Sequence, residues 1–506
     1  MKRLLSFALA LSLCLSLTAC LDAEDTEPED FWTIDETLEE EEPPEEPPTV
    51  FTLPYLSSQS LNPMTCSDGV QQVAASLLYE GLFTLDAHFV PQNTLCVSYA
   101  RGGNGLSYTF TLRDGVLFTD GTPLTAADVV AAYRRAQVSD RYAARFANIS
   151  GIRAVRNTVV LTLMKADSAL PALLDIPIIK SGTDKYTVPV GTGPYRFGTG
   201  EDGDCLLRND SWWGDASALP ERIPLSAAKD ADTAAYLFTA NRAHLLTADL
   251  LSDSPAASIG GVDLTDAPTT TLYYLGFNAR QGAAADKTLR AAMALGIDRE
   301  TILVSLLASH AQTAQFPISP SSPLYPAGLE TPYVSSAYGA ALDARVTGEP
   351  QPIALTLLVN EENSFKTALA DFIAKALTDR YVTVTVSALP WADYVQALES
   401  RSFDLYLGEV RLTADWNLTP LVWTNGSLNY GGFSDAATET ALTAFLTDEN
   451  ETTAAALCAV LAQEAPLVPI VFKSVSTLTP AGRVEGLTPT QSQPLNGLAS
   501  WVFRFD

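Results

Sequence analysis

The sequence predicts a large α/β protein, and its length, apolar content and alternating patterns support this prediction. The chain has 506 residues, which suggests about two to four domains. Hydrophobic residues make up 47% of it, so a large core can form. From residue 49 onward, strand-like and helix-like stretches alternate without an internal repeat. This alternation favours α/β layers over a helical bundle or a β-sandwich.

The individual elements are predicted from hydrophobic periodicity and from turn and cap residues. Thr125 is expected to cap a helix, with Asp128 placed favourably near the positive helix end. Gly115, Gly121 and Gly193 are expected in tight turns that need a positive φ. Strand patterns cover 49–56, 108–112, 159–164, 382–386 and 403–407, and helical patterns cover 70–79, 125–136, 288–295, 299–307 and 364–377.

The beginning of the sequence has the pattern of a secretory signal. Two basic residues precede an almost wholly apolar run at 4–17. A short apolar run behind positive charge, ending in small residues, is typical of a signal peptide. Residues 17–20, LTAC, resemble the processing box of bacterial lipoproteins, in which the cysteine is acylated. We expect a signal peptide over 1–20 with a lipid on Cys20; a plain signal peptide with an incidental cysteine is the alternative.

Residues 21–48 are predicted to form a disordered acidic tether. They contain fourteen acidic residues, no basic residue and two proline pairs. Like charges and stiff prolines keep such a segment extended, and it has too little apolar surface to build a core. We expect the tether to hold the folded body clear of the membrane.

Charge argues against nucleic acid as a partner. The formal net charge is −28, and half of the acidic excess lies in the tether. The body that follows has 45 acidic and 29 basic residues, and no cluster of Lys and Arg. Binding to a phosphate backbone requires such a basic cluster.

Metal and disulfide chemistry receive little support from the sequence. The six cysteines include no C-x-x-C pair and match no zinc pattern. Three histidines are scattered, which disfavours nickel, and we expect no cofactor. The four cysteines of the body are compatible with isolated buried thiols or with a disulfide, for example between Cys66 and Cys96.

A series of motifs carries a family resemblance. They are SLNP at 60–63, LYEGL at 78–82, YTFTLRDGV at 108–116, FTDGTPLTAADV at 118–129, GTGPY at 191–195, RND at 208–210, WW at 212–213, FN at 277–278, LRAA at 289–292 and IDR at 297–299. In this order they resemble the bacterial extracellular solute-binding proteins of family 5. That family serves oligopeptide, dipeptide and nickel importers of the ATP-binding-cassette (ABC) type. The resemblance covers roughly 50–506.

The resemblance implies a two-lobed, type II periplasmic-binding-protein fold, of the large cluster C type, with an extra subdomain inserted in the first lobe. Two crossovers between the lobes, near 271–277 and 471–477, would form a hinge, and closure would bury the solute. The implied parts are lobe I at 49–66, 187–272 and 476–506, the inserted subdomain at 67–186, and lobe II at 273–475.

The implied function is capture of a small solute, an oligopeptide or dipeptide, and its delivery to an ABC permease. The protein would be a monomer, held outside the cytoplasmic membrane by its lipid, at the cell surface or in a periplasm. A solute-sensing receptor on the same fold and an extracytoplasmic hydrolase are the alternatives. The sequence contains no G-x-S-x-G, H-E-x-x-H or P-loop motif, so we do not expect an enzyme.

Peptide-binding members of the family place an Asp in an Ala-Asp-aromatic motif against the amino group of the ligand, and Ala414-Asp415-Trp416 matches that motif. A carboxylate and an ammonium in a poorly hydrated cleft form a strong hydrogen bond. The alternative is that Asp415 only caps the following turn.

The residues before this motif depart from the family pattern. Peptide binders show Gly-Trp there, whereas this chain has Arg411-Leu412. The guanidinium of Arg411 suits a carboxylate, while pairing with Glu409 or exposure to solvent are the alternatives. Trp391, Trp416 and Tyr430 are expected to line the cleft, and core packing explains each of them nearly as well.

Replacing Cys20 with Ala should abolish lipid attachment, because the thiol is the acylated group. The wild-type protein should fractionate with membranes and incorporate labelled fatty acid, and the variant should do neither. Labelling that persists unchanged in the variant would contradict the lipoprotein prediction.

Overall fold

The computed structural model describes residues 48–346 and 352–505. The predicted signal peptide, Cys20 and residues 21–47 of the predicted tether lie outside the described residues. Within the described part, no helix is long and apolar enough to cross a bilayer.

The described residues form strands from one end to the other. In chain order these are β1 (Leu53–Leu56), β2 (Phe83–Leu85), β3 (Pro91–Asn93), β4 (Cys96–Arg101), β5 (Ser107–Leu112), β6 (Ile149–Val155), β7 (Thr158–Leu163), β8 (Tyr195–Gly200), β9 (Gly203–Arg208), β10 (Arg222–Ala228), β11 (Leu246–Ala248), β12 (Val262–Phe277), β13 (Ala311–Thr313), β14 (Ile353–Asn360), β15 (Val382–Leu389), β16 (Leu405–Arg411), β17 (Leu467–Pro480), β18 (Val484–Glu485) and β19 (Val502–Phe503).

The α-helices are placed between these strands. They are α1 (Gly69–Ala75), α2 (Ala126–Ala136), α3 (Ala231–Thr239), α4 (Lys287–Leu295), α5 (Arg299–Ser305), α6 (Ala337–Arg345), α7 (Ser364–Leu377), α8 (Trp391–Ser400), α9 (Thr419–Val422), α10 (Ala436–Thr447) and α11 (Glu451–Glu464). The mixture confirms the predicted α/β class.

One body, which we call the base, is built on a four-stranded sheet in the order β1-β10-β9-β8. Strand β1, at the start of the described chain, pairs in parallel with β10, and Leu53 lies opposite Leu225. The core of the base includes Leu53, Tyr195 and Trp501, so both ends of the described chain are packed into it.

A second body, which we call the insert, is built on the sheet β4-β5-β7-β6 and covered by α2. Residues of β5 alternate between half-buried and buried, as the sequence pattern predicts. Helix α2 begins with a capping box in which Thr125 and Asp128 satisfy each other's backbone N–H groups, so the predicted cap is confirmed. The buried side chains of Tyr108 and Tyr133 belong to the core of this body.

The third body, which we call the large lobe, is built on the sheet β11-β17-β12-β16-β14-β15, with β13 paired to β17. Successive residues of a strand point to opposite faces, and this sheet is buried on both. Tyr273, Leu275 and Leu407 belong to one core, whereas Tyr274 and Tyr406 belong to the other. Helices α4 and α7 contribute to the first core, and α10 and α11 to the second.

Strands β12 and β17 carry the chain between the base and the large lobe. They pair from Val262 with Pro480 to Gly276 with Leu467. The register shifts between Pro268 and Leu272, where 269–271 stand opposite the single residue Lys473. Such a bulge bends a strand pair and releases backbone groups from the ladder. This interruption lies at the predicted crossovers near 271–277 and 471–477, and we call it the hinge bulge.

Two of the three predicted turn glycines behave as expected, and one does not. Gly115 and Gly121 have φ of 75° and 82°. Gly193 has no positive φ; instead, a Cβ there would lie 2.3 Å from the carbonyl oxygen of Leu77 and 2.8 Å from that of Leu78. The expectation for Gly193 was therefore wrong, because close approach of two backbones, rather than a turn, requires the glycine.

A buried carboxylate lies among the motifs that carry the family resemblance. Glu80 accepts hydrogen bonds from the indole N–H groups of Trp212 and Trp213, each at about 3.0 Å, and from the hydroxyl of Thr192 at 2.9 Å. Burial raises the pKa of Glu80 to about 7, although these donors and Arg113 act in the opposite direction. Glu80 thus ties the LYEGL, GTGPY and WW motifs together.

Replacing Glu80 with Gln should lower the free energy of unfolding by about 1 to 3 kcal/mol, because the new NH2 group faces indole donors. In the wild type, the raised pKa means that the folded protein binds this proton more tightly than the unfolded chain does, so part of its stability is lost as pH rises through about 7. The variant should lack this pH dependence. Urea unfolding in weakly acidic and weakly alkaline buffer measures both effects. Exposed Glu201→Gln is the matched control; equal stability of Glu80→Gln and wild type would contradict this role.

Candidate functional site

A cavity of about 590 Å³ lies where the base, the insert and the large lobe meet. Its walls come from α1 and the loop before it, from a 3₁₀ turn at Ala143–Phe146, from the hinge region of β12 and β17, from the end of β16, and from the loop 490–494. The volume suits a small solute, since ligand cavities span about 300 to 1,000 Å³.

The hinge bulge is part of this cavity wall. Backbone groups that lose their ladder partners there are satisfied by side chains. Thr271 N–H donates to the Thr269 hydroxyl at 3.1 Å, and Thr270 N–H donates to Gln491 Oε1 at 2.7 Å. The Thr269 hydroxyl donates to the carbonyl oxygen of Lys473 at 2.7 Å. The base, which supplies Gln491, therefore contacts the hinge directly.

One side of the cavity carries three guanidinium groups. Arg141 donates to the carbonyl oxygen of Cys66 at 2.7 Å and to Gln72 Oε1 at 2.9 Å, so its partners are neutral. Arg145 forms an ion pair with Asp175. Arg411, the last residue of β16, provides the third.

Arg411 has no ion pair and no side-chain hydrogen bond with the described residues. It is exposed within the cavity, and its backbone pairs with Thr271 at the hinge. Loss of hydration around the guanidinium, followed by the charges of Arg145 and Arg141, lowers the pKa of Arg411. The pairing with Glu409 that the sequence left open is not formed, and the guanidinium is available to a solute.

The hinge side of the cavity holds a chain of alternating charges. Lys473 pairs with Asp249 and, at 3.2 Å, with Glu409. Glu409 also pairs with Lys366 at 2.5 Å. Burial acts against ionisation, but Lys473 and Lys366 lower the pKa of Glu409 overall. These charges neutralise one another, whereas neither Arg141 nor Arg411 forms an ion pair with any residue that the structure describes.

Asp415 lies immediately behind the cavity wall. Thr413 and Ala414 line the cavity, but the Asp415 side chain is only 2% exposed. Its carboxylate accepts hydrogen bonds from the Thr413 hydroxyl and from the N–H of Asn417, at 3.3 Å for the latter. These are the bonds expected of a turn cap, and contact of Asp415 with a solute stays a prediction.

The predicted aromatic residues are not brought to the cavity wall. Trp416 is fully buried, has a φ of 49° and packs edge-on against Phe89 and Phe472. Tyr430 is half-buried and packs against the large-lobe core, and Trp391 is 57% exposed at the start of α8. Their contact with a solute also stays a prediction.

The sequence analysis missed Arg141 and Arg145. They lie four positions apart in the stretch RYAAR, around the 3₁₀ turn that begins at Ala143. That spacing was the available signal. Nothing local, however, shows that they face Arg411, which lies 266 residues after Arg145 and meets them only in the folded protein.

The cysteines and possible metal ligands can also be placed. Cys66, Cys96, Cys205 and Cys458 are buried and free, so the isolated-thiol interpretation is confirmed for these four. Among the described residues, no group of three or more His, Cys, Asp or Glu side chains could hold a metal ion.

Comparison with known proteins decides the family. The model of bacterial extracellular solute-binding proteins, family 5 (middle), matches residues 91–432, which is more than half of the chain. The chain belongs to this family. It is a solute-binding protein and not an enzyme, and proteins of this family bind small ligands outside the cytoplasm and work with ABC permeases.

A curated relative supports the same conclusion over nearly the whole chain. The glutathione-binding protein GsiB of Salmonella typhimurium is 26% identical over 484 residues, covering 88% of this chain and 91% of that protein.

Solved structures show the fold. The periplasmic murein tripeptide-binding protein MppA, in an unliganded open form, has a TM-score of 0.72 at 19% identity and covers 90% of this chain and 96% of that one. NikA from Brucella suis, in complex with Fe(III)-EDTA, has a TM-score of 0.69 at 20% identity, covering 90% and 99%. The predicted two-lobed binding-protein fold is confirmed.

Proposed function

We propose that this protein captures a small, peptide-like solute that carries a carboxylate group, and delivers it to the permease of an ABC importer. The observation that carries the proposal is the unpaired guanidinium of Arg411 in the interlobe cavity, beside Arg141, which has only neutral partners. We call the group formed by Arg141, Arg145 and Arg411 the arginine wall.

The arginine wall is unusual in an acidic protein. Since acidic residues outnumber basic ones in the body, a basic group facing a cavity is readily paired by a neighbouring carboxylate, as Lys473 and Arg145 are. Arg411 and Arg141 have no such partner in the described part of the chain. Like charges on one wall of a cavity favour an anion that binds between them.

The known ligands of the similar proteins support a carboxylate-bearing solute. GsiB is named for glutathione, MppA for a murein tripeptide, and NikA was solved with an EDTA chelate. These ligands differ in size and in metal content, but each carries carboxylate groups. A peptide is favoured because its free carboxylate and its polar backbone suit the hydroxyl and amide groups at 269–271 and 490–493.

We further propose that Asp415 receives the ammonium group of the solute. The residues before it line the cavity, and the Arg145 guanidinium acts electrostatically on its carboxylate. A small rearrangement of the 413–415 segment would bring a carboxylate and a guanidinium to the two ends of a zwitterion. A lipid on Cys20 and the monomeric state complete the proposal and rest on the sequence.

Arg411→Gln should weaken binding of a carboxylate-bearing tripeptide by about 10- to 100-fold, because a charge-assisted hydrogen bond contributes about 1.5 to 3 kcal/mol. Amidating the peptide carboxylate should weaken wild-type binding similarly and cost the variant little further. Titration calorimetry with glutathione, trialanine and trialanine amide measures these differences. Exposed Arg153→Gln is the control and should bind like wild type. If amidation weakens binding to Arg411→Gln as much as it weakens binding to wild type, Arg411 does not contact the peptide carboxylate.

Asp415→Asn should reduce affinity for a free peptide and leave the melting temperature of the empty protein nearly unchanged, because Asn keeps the capping oxygen and loses only the charge. N-acetylation of the peptide should then cost the variant much less than it costs wild type. Calorimetry with trialanine and N-acetyl-trialanine closes this double cycle. If acetylation costs the same in both proteins, Asp415 does not contact the ammonium.

A further inference from the structure

The insert and the large lobe touch at a place that does not involve the crossing strands. Ser168, in the loop after β7, donates its N–H to the carbonyl oxygen of Leu446 at 2.9 Å. Its hydroxyl accepts the N–H of Glu449 at 2.7 Å. Arg101 at the end of β4 donates to the carbonyl oxygen of Thr447 at 2.8 Å. These bonds join the insert to the turn between α10 and α11.

Three carboxyl groups interact across this contact: Asp167 adjoins Ser168, the Glu449 N–H is bonded to Ser168, and Asp415 acts electrostatically on the other two carboxyl groups. Asp167 comes from the insert, and Asp415 and Glu449 come from the large lobe. Asp167 is 5% exposed and Asp415 is 2% exposed. Glu449 is less enclosed as a residue, but its Oε1 is buried without a hydrogen-bond partner. We call these three groups the carboxyl cluster.

The groups facing the carboxyl cluster do not balance three negative charges. Arg101 acts on Asp167, and Arg145 acts on Asp415. Both guanidinium groups have other partners, the carbonyl oxygen of Thr447 and the carboxylate of Asp175.

Among the described residues, the other hydrogen-bond partners of Asp167 and Asp415 are uncharged. Tyr108 on β5 donates its hydroxyl to the backbone carbonyl of Asp167 at 2.8 Å, and Asn148 acts on the Asp167 side chain. Thr413 and Asn417 donate hydrogen bonds to Asp415. Among the described residues, no group opposite Glu449 supplies a positive charge to it.

Proton binding relieves this imbalance. Burial, followed by the charge of Asp415, raises the pKa of Asp167 to about 7. Burial, followed by the charges of Asp415 and Asp167, raises the pKa of Glu449 to about 8, and burial raises the pKa of Asp415. Asp167 and Glu449, beside the charge of Asp415, are therefore held more often as neutral acids in this contact than they would be in water.

The contact can break when the cleft opens. The fold allows opening, since MppA is known in an open form without ligand, and β12 and β17 have a bulge at 269–271 about which the lobes can turn. Opening would separate Asp167 on the insert from Asp415 and Glu449 on the large lobe. Water would then solvate all three groups and remove their mutual repulsion.

We propose that the carboxyl cluster is a proton-dependent latch between the insert and the large lobe, so that closure of the cleft takes up protons. Weakly acidic medium holds the lobes together, and alkaline medium drives them apart by repulsion among Asp167, Asp415 and Glu449. The latch regulates the proposed solute site, because a closed cleft is what retains a solute. Its existence does not require that the solute be an anion or a peptide.

The direction of the pH effect follows from linkage. A carboxyl group whose pKa is raised on closure favours the closed form below the pKa it has in the open form. That contribution is lost as pH rises through about 7 and 8, the pKa values of Asp167 and Glu449 while the contact is formed. The latch should therefore act across neutral pH.

Small-angle scattering of the ligand-free body, from residue 48 onward, tests the latch in buffers from about pH 6 to about pH 9. Wild type should show a radius of gyration that rises with pH while its circular dichroism stays native. Glu449→Gln and Asp167→Asn should each stay at the small radius across the range, because each removes one of the repelling charges. Two variants are used because one of them could fail to fold. The other variant then still tests the latch.

Glu451→Gln, two residues from Glu449 and exposed, is the matched control and should behave like wild type. Amide exchange of Ser168, compared between proteins at one pH, gives a second readout, since its N–H bond to Leu446 forms only in the contact. A wild-type radius that does not change with pH would overturn the proposal, as would the same pH response in both variants. Equal exchange of the Ser168 amide in wild type and both variants at alkaline pH would also overturn it. Failure of the Arg411 binding experiment would leave these results unaffected, so the two proposals fail separately.

Discussion

The pairing of β12 with β17 is the constraint on which the rest of this structure depends. One end of these two strands lies within the large lobe. The other end lies beside the base, where β17 pairs with β11 around Thr477. The main interruption of their ladder is where 269–271 oppose Lys473. A hinge made of hydrogen-bonded strands lets the lobes turn while the pairing on either side is kept. Because Arg411 pairs with Thr271, the same bulge also places the arginine wall.

Charge is distributed around this hinge in three different ways. The alternating chain from Asp249 to Lys366 neutralises itself, so it can bridge the base and the large lobe without a solute. The arginine wall carries positive charge that the described carboxylates pair only at Arg145, and we propose that a solute anion pairs with the rest. The carboxyl cluster carries an excess of negative charge, which raises the pKa of Asp167 and Glu449 and favours their protonation. A solute anion and a proton would therefore both favour the closed protein, each by relieving repulsion at a different place.

The motifs that identify the family are mainly parts of the scaffold. Glu80 joins three of them through Trp212, Trp213 and Thr192, and Gly193 allows a backbone approach that a side chain would block. None of the described contacts of Glu80 is with the solute cavity wall at Arg411. This explains why the sequence identifies the fold so well and the solute so poorly: residues that hold the scaffold together carry no information about the solute.

The sequence by itself determined the local structure and the family. Periodicity and caps predicted α2 with its Thr125 N-cap, the alternating strand β5 and helix α7 over 364–377, because these depend on neighbours within a few residues. Only the tertiary structure decided the site. It buried Asp415, left Trp391 on the surface, and brought Arg141 and Arg145 to Arg411 across 266 residues or more. Such meetings depend on how β12 and β17 cross between the lobes, and no local pattern of apolar and polar residues records them.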